Sequence, residues 1–283
     1  MIIKTKYKIR LARLVQVMVM GARRLFGAGP ITLATRHGIT WELDLREGID
    51  FSIWLLGSFE PETVRCYQRL IKPGDVVLDI GANIGAHTPL LAQAAGERGK
   101  VIAFEPTDYA YGKLTRNIAL NPALAPRVQC LQTMLGDTNS TDSRPPPLYS
   151  SWPLKDEEGL HTLHQGRLMT TSGASLRTLD SVLASVGAGP VACIKLDIDG
   201  AECVMLRGAG ETLSRWRPVI VMELAPYMLE EHGASLAELI GLLKVHGYTL
   251  TDAGTGEPVA MDAARLQTII PAGASLNVVA RVP

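Results

Sequence analysis

From residue 76 onward the sequence alternates between short apolar runs and stretches of helical spacing. Val76-Val77-Leu78-Asp79-Ile80 leads into a helical stretch, and Val101-Ile102-Ala103-Phe104-Glu105 follows it. Helical spacing over Tyr111–Leu120 then leads to Val128-Gln129-Cys130-Leu131. The same kind of run returns at Val191–Asp197 and at Pro218–Glu223. Runs this short, with no polar alternation, are strands buried on both faces. Joined by helices they make βαβ units, a mostly parallel sheet with helices on both sides. Further on, the spacing predicts a helix near 234–246, a strand near Tyr248–Thr251 and a final strand near Leu276–Arg281.

The first 75 residues read differently. The spacing predicts a helix over 9–26, with Leu11, Leu14, Val15, Met18, Ala22, Leu25 and Phe26 as its apolar stripe. Gly27 and Gly29-Pro30 end it. Ile31–Leu33 and Thr40–Leu43 suit short strands about a His37-Gly38 turn, and residues 60–71 resume helical spacing. The expected organisation is a basic amphipathic helical arm (1–30), an N-terminal β/α extension (31–75) and an α/β domain (76–283). Residues 138–172 interrupt the domain with Pro145-Pro146-Pro147, several Ser and Thr, and His161 and His164. A connector of that length in a compact domain needs a functional reason, so it is expected to serve the acceptor side.

The sharpest local signal is Asp79-Ile80-Gly81-Ala82-Asn83-Ile84-Gly85, directly after the first strand. Glycines there let the backbone bend sharply and let a ligand approach closely. The spacing is neither the dinucleotide fingerprint nor a P-loop. Glu105, twenty residues after Gly85, can accept hydrogen bonds from both hydroxyls of an adenosyl ribose. NAD sites share that acid, so Glu105 alone does not choose a cofactor. Asp79 does more: an acid before the loop repels a phosphate and suits a cationic ligand. S-adenosylmethionine (SAM) carries a sulfonium and no phosphate. Asp79, Gly81, Asn83, Gly85 and Glu105 are therefore the candidate cofactor residues.

Several blocks in order resemble the FkbM family of class I SAM-dependent methyltransferases. They are Glu47-Gly48-Ile49-Asp50, Gly57-Ser58-Phe59-Glu60, Asp79 through Thr88, Phe104-Glu105-Pro106 and Thr178-Leu179-Asp180. The series continues with Lys195 through Glu202, Leu206-Arg207-Gly208-Ala209 and Pro218 through Glu223. The resemblance runs from about residue 36 to 281, and its most specific block is Lys195 through Glu202. Asp199 stands where the family commonly has Glu. The resemblance implies a Rossmann-like, seven-stranded, mostly parallel sheet with the last strand antiparallel. It also implies SAM at the carboxyl ends of the first strands, and usually O-methylation of sugars, polyketides or glycans. By the same resemblance Asp137 is a candidate contact for the adenine amino group, with a turn-forming role as the alternative.

Methyl transfer to an alcohol releases a proton, so a base is needed within ~3 Å of the acceptor oxygen. Asp197 ends the fourth strand, next to the first, at the switch point where ligands bind. Lys195, Asp197 and Asp199 share one side if the strand stays extended to 199. Asp197 and Asp199 are thus candidate catalytic carboxylates, with His87, His161 and His164 as competing bases whose ordinary pKa lies near neutrality. Nothing in the pattern fixes a coordination geometry, so no metal is assigned.

Charge divides the chain. Residues 1–41 hold eight basic residues and no acid, while the rest carries 20 basic and 28 acidic groups, a net of −8. An acidic body is the wrong surface for nucleic acid, and no apolar run approaches the ~20 residues of a membrane span. Four scattered cysteines do not make a disulfide framework or a zinc site. The sequence lacks a clean signal-peptide cleavage pattern, so a cytoplasmic enzyme is expected. Peripheral contact with the inner face of the membrane through residues 1–26 and homo-oligomerisation are further expectations. The leading expectation is O-methylation of a saccharide, glycolipid or related secondary metabolite. The rivals are a catalytically silent SAM-fold scaffold in a membrane-associated assembly and, behind it, a dehydrogenase.

Overall fold

A computed structural model describes residues 5–140, 145–155, 157–161 and 165–283, with side chains from residue 12 onward. Helix α1 (Thr5–Leu25) precedes a hairpin of β1 (Ile31–Arg36) and β2 (Ile39–Asp44), then α2 (Gly48–Leu56) and α3 (Pro61–Leu70). The α/β part opens with β3 (Val76–Ile80), α4 (Thr88–Ala95), β4 (Lys100–Phe104), α5 (Asp108–Ala119) and β5 (Val128–Leu131). Four short strands follow: β6 (Thr133–Leu135), β7 (Leu148–Ser151), β8 (Arg167–Met169) and β9 (Ser175–Arg177). Then come α6 (Leu179–Ser185), β10 (Val191–Leu196), α7 (Glu202–Arg207), α8 (Gly210–Arg215) and β11 (Val219–Leu224). The chain closes with α9 (Pro226–Glu231), α10 (Leu236–Val245), β12 (Thr249–Asp252), β13 (Pro258–Val259), α11 (Ala263–Ile269) and β14 (Leu276–Arg281).

The main sheet has the order β13-β12-β14-β11-β10-β3-β4-β5. Strands β11, β10, β3, β4 and β5 are parallel, and β14 runs antiparallel to both β11 and β12. This is the expected seven-stranded α/β sheet with its final strand reversed. The two-residue β13 adds an eighth strand as the return of a hairpin from β12. The chain order reverses between β3 and β10, which places the switch point beside Asp79.

Strand side chains alternate between faces, so each sheet face has its own core. Leu78, Ile80, Ile194, Leu196, Ile220 and Met222 pack with α6, α7 and α10 on one side. Val77, Cys193 and Val221 face the other side, where they share a core with Trp41, Phe51, Ile53, Val64 and Tyr67 of the 31–75 extension. The extension is therefore a cover for one face of the sheet. On that face the polar residues Asp79, Lys195 and Glu223 continue the rows of Val77, Cys193 and Val221 toward the carboxyl ends.

Helix α1 differs from the expected packing. Its inward residues are Ala12, Val15, Val19 and Met20, with Gln16 buried between them. Among the described side chains of the expected apolar stripe only Val15 turns inward; Leu14, Met18, Ala22, Leu25 and Phe26 are exposed, and the Leu11 side chain lies outside the described residues. Spacing alone could not choose between two apolar faces, and the Gln16 amide, which donates to the Leu45 carbonyl at 3.2 Å, settles the orientation.

Candidate active site

The β3–α4 turn carries three consecutive left-handed conformations at odd positions: Gly81 (φ 78°), Asn83 (φ 49°) and Gly85 (φ 85°). At Gly81 a Cβ would sit 1.8 Å from the Asp197 carbonyl oxygen, so β10 crosses the loop at a distance only glycine allows. Asn83 tolerates its conformation by bonding locally, its Oδ1 accepting from the Ile84 amide at 2.8 Å.

Asp79 is fully buried beneath this loop. Its Oδ2 accepts from the Thr88 hydroxyl at 2.6 Å, while Oδ1 has no hydrogen-bond donor and lies 4.0 Å from the Lys195 ammonium. Burial raises its pKa against the opposing pull of Lys195. Glu105 is also buried, and its carboxylate is already engaged. It accepts from the Asn83 amide (3.0 Å), the Thr107 amide (2.9 Å) and the Thr107 hydroxyl (2.5 Å). Burial pushes its pKa up despite these bonds. The β7–β8 hairpin covers it: Ser150 Oγ donates to Thr107 Oγ1 at 2.8 Å, and Asn83 Nδ2 donates to the Ser150 carbonyl at 3.0 Å.

Lys195 lies beside Asp79 in register on β10. Its Nζ donates to Asp197 Oδ2 at 3.2 Å and to the Gly81 carbonyl at 3.3 Å. Burial alone would lower its pKa, but Asp197, Asp79 and Glu60 hold it above the ordinary value. A narrow cleft next to it is lined by Glu60, Thr63, Lys195, Asp197 and Glu223. Asp199 and Glu223 are both pushed well up, first by burial and then by the charge of Asp197. Glu202, buried at the start of α7, accepts from the Ile198 and Gly200 amides at 3.3 Å each, and burial lifts its pKa to about 7.

A larger groove of about 540 Å³ lies at the far edge of the sheet, lined by Thr255, Glu257, Val259, Arg265 and Ile269 among others. It holds no converging buried groups, so the chemistry belongs to the β3–β10 end. The methyltransferase FkbM domain model matches residues 79–250, more than half of the chain.

The chain belongs to the FkbM methyltransferase domain family.

It is a SAM-dependent methyltransferase, which removes the dehydrogenase and silent-scaffold readings. Over 212 residues it is 29% identical to the 31-O-demethyl-FK506 methyltransferase FkbM of Streptomyces tacrolimicus, covering 66% of this chain and 79% of that one. Over 174 residues it is 26% identical to the hexuronic acid methyltransferase AglP of Haloferax volcanii, covering 60% of this chain and 65% of the relative. A crystal structure of methyltransferase FkbM from Methylobacillus flagellatus aligns at a TM-score of 0.46 and 14% identity, over 77% of this chain and 50% of that one.

The chemistry of the FkbM loop fits SAM: two buried acids, Asp79 and Glu105, and an Asp79 oxygen without a hydrogen-bond donor. Several expected site residues are placed differently from the sequence reading. Strand β10 ends at Leu196, and Asp199 takes a left-handed turn (φ 52°) instead of extending the strand. The chain breaks there to run its Asp197 carbonyl against Gly81, and the turn still keeps Asp199 within the carboxylate group. Asp137 directly follows β6 and Gly136. It is exposed and pairs with Arg207 at 3.4 Å, because β6 leaves the main sheet to pair with β9 and carries the chain toward α7.

His87 is 3% exposed, with Tyr67 and Phe59 rings against it and its Nδ1 3.4 Å from the Tyr67 hydroxyl. Burial and the nearby Lys195 charge hold its pKa well below the ordinary value, so it is a neutral ring in the wall. The His161 ring packs at a tilt against Tyr149 and lies 3.6 Å from Glu231, linking the insertion to α9. His164 lies outside the described residues. Among the described residues no group of three or more His, Cys, Asp or Glu could hold a metal ion. Sequence reasoning left Glu60 and Glu223 unassigned. Glu223 ends an apolar run as Asp79 and Glu105 nearly do, which was the available signal. Glu60 sits at φ 45°, a strained conformation that clusters at functional sites.

Proposed function

We propose that this FkbM methyltransferase methylates a hydroxyl of a saccharide, glycolipid or related secondary metabolite. The observation that carries the proposal is the group of carboxyls at the cleft, Asp197, Glu60 and Glu223, with Asp199 close enough to interact with Asp197 and Glu223, beside the cofactor loop. A polyhydroxylated acceptor suits such a group, because each carboxyl can accept from or donate to a hydroxyl. The names of the two relatives, one an O-demethyl substrate and one a hexuronic acid, support the same class.

When bound, SAM supplies the electrophilic methyl carbon. Asp79, Gly81, Asn83, Gly85 and Glu105 are the residues proposed to hold it. Asp197, one-quarter exposed and ion-paired to Lys195, takes the hydroxyl proton. Asp199 and Glu223, which keep their protons to higher pH, donate to acceptor oxygens and orient them.

The test is incubation with SAM and a panel of hydroxyl-bearing saccharides and glycolipids, read by mass for the gain of one CH₂. Asp197→Asn should lose about 10²- to 10⁴-fold in kcat with SAM binding intact, the range expected for removing a general base. Asp79→Ala should lose SAM binding itself. Methylation only of nitrogen, sulfur or carbon acceptors would overturn the hydroxyl reading.

A further inference from the structure

We propose that the outward face of α1 seats the enzyme on an anionic lipid surface. The helix is held in one orientation by its inner face: Ala12, Val15, Val19 and Met20 pack on the core of the extension. At its far end the Arg23 guanidinium donates to the Gly29 carbonyl at 2.9 and 3.1 Å, closing the turn that follows the helix. The opposite face is therefore presented outward as a rigid surface.

That face is apolar and uncovered. Leu14, Val17 and Met18 are 61%, 66% and 59% exposed, and Leu25 and Phe26 reach 86% and 88%. Leu14, Val17, Met18, Gly21 and Leu25 recur at three- and four-residue steps, so they form one stripe. Single exposed apolar residues are ordinary, but a stripe this long on a soluble protein marks an interaction surface.

Charge identifies the partner. The helix belongs to a segment of 41 residues with eight basic groups and no acid, on a body of net −8. Anionic headgroups attract such a segment, while an apolar helix face enters the boundary between headgroups and acyl chains. A neutral protein surface would answer the stripe but not the charge. Pairing α1 with α1 of a second copy would bring two acid-free basic segments together. Among the described residues no helix is long and apolar enough to cross a membrane, so the contact lies in the plane of the interface.

The experiment is flotation of the full chain with phosphatidylcholine vesicles, with and without added phosphatidylglycerol. The chain should float with the anionic vesicles and fall away as salt rises. Leu25→Asp with Phe26→Asp should lower the bound fraction at least about tenfold, as expected for removing two interfacial anchors. Arg24→Glu, at an exposed position, should weaken binding most at low salt. SAM binding, measured on each variant, should be unchanged, since none of these residues touches the cleft. Absence of flotation, equal binding to neutral vesicles, or equal binding by the double variant would overturn the proposal. So would a dimer in solution that the double variant breaks without any vesicle binding by the wild type.

Discussion

Gly81 and Gly85 both have positive φ, yet they should not respond alike to alanine. A Cβ at Gly81 meets a backbone carbonyl at 1.8 Å, while at Gly85 it meets the flexible end of Leu114 at 2.9 Å. Gly81→Ala must displace β10 from the loop and should abolish SAM binding. Gly85→Ala should cost about 1–2 kcal/mol, the left-handed penalty, and leave measurable binding. Isothermal titration with S-adenosylhomocysteine and thermal unfolding separate the two. Glu202 gives a pH-dependent prediction. Its folded pKa of about 7 exceeds the ordinary 4.5, so the folded chain binds the proton more tightly than the unfolded one. The resulting stability is fully present below pH 4.5 and is lost as pH rises through about 7. Glu202→Gln keeps the acceptor for Ile198 and Gly200 and should flatten the fall in Tm between these limits; an unchanged slope would discount Glu202. Asp79, Glu105 and Asp197 were legible as strand-end acids. The burial of His87 was not, because Tyr67 and Phe59 reach it from a separate part of the chain.

At the level of elements, a buried ion pair helps pin the extension to the sheet domain, alongside the hydrogen bonds of Asn117 and Asn121 to β2. Asp50 of α2 and Lys113 of α5 are 1% and 5% exposed and bonded to each other, and Asp50 also accepts from the Asp44 amide at 2.7 Å. Asp50→Asn leaves the Lys113 charge without a counter-ion and should destabilise the fold by about 3–5 kcal/mol, read by denaturant unfolding. A loss within half a kcal/mol would mean that the pair is not holding α2. The insertion is docked on the same corner. The Gly48 amide donates to the Trp152 carbonyl, Ser151 Oγ donates to Glu47 at 2.8 Å, and Arg167 pairs with Glu47 and Glu157. These contacts explain why residues 138–172 defeated a reading by periodicity. Strands of three and four residues, paired across a long loop, carry too few positions for alternation to emerge.

Across the whole molecule, the two faces of one sheet differ in where their cover comes from. One face is covered by α6, α7 and α10 from within the 76–283 segment, while the other is shared between α4 and residues 31–75. A chain beginning at residue 76 keeps α4 over β3 and β4 but loses the α3 cover over β11, leaving Val221 and Val279 without their neighbours from the extension. It should lose the cooperative unfolding transition that the full chain shows by circular dichroism; a transition of unchanged Tm would make the extension dispensable. The parallel sheet, the glycine loop and its acids were determined by the sequence alone, because alternation and strand-end acids are written within a few neighbouring residues. The tertiary structure alone decided which apolar face of α1 is buried, that Asp199 turns instead of extending, and that Asp137 pairs with Arg207. Each outcome depends on a partner distant in sequence: Leu45, Gly81 and Arg207. Local periodicity cannot encode such contacts, because burial and pairing are settled only when remote segments compete for the same space.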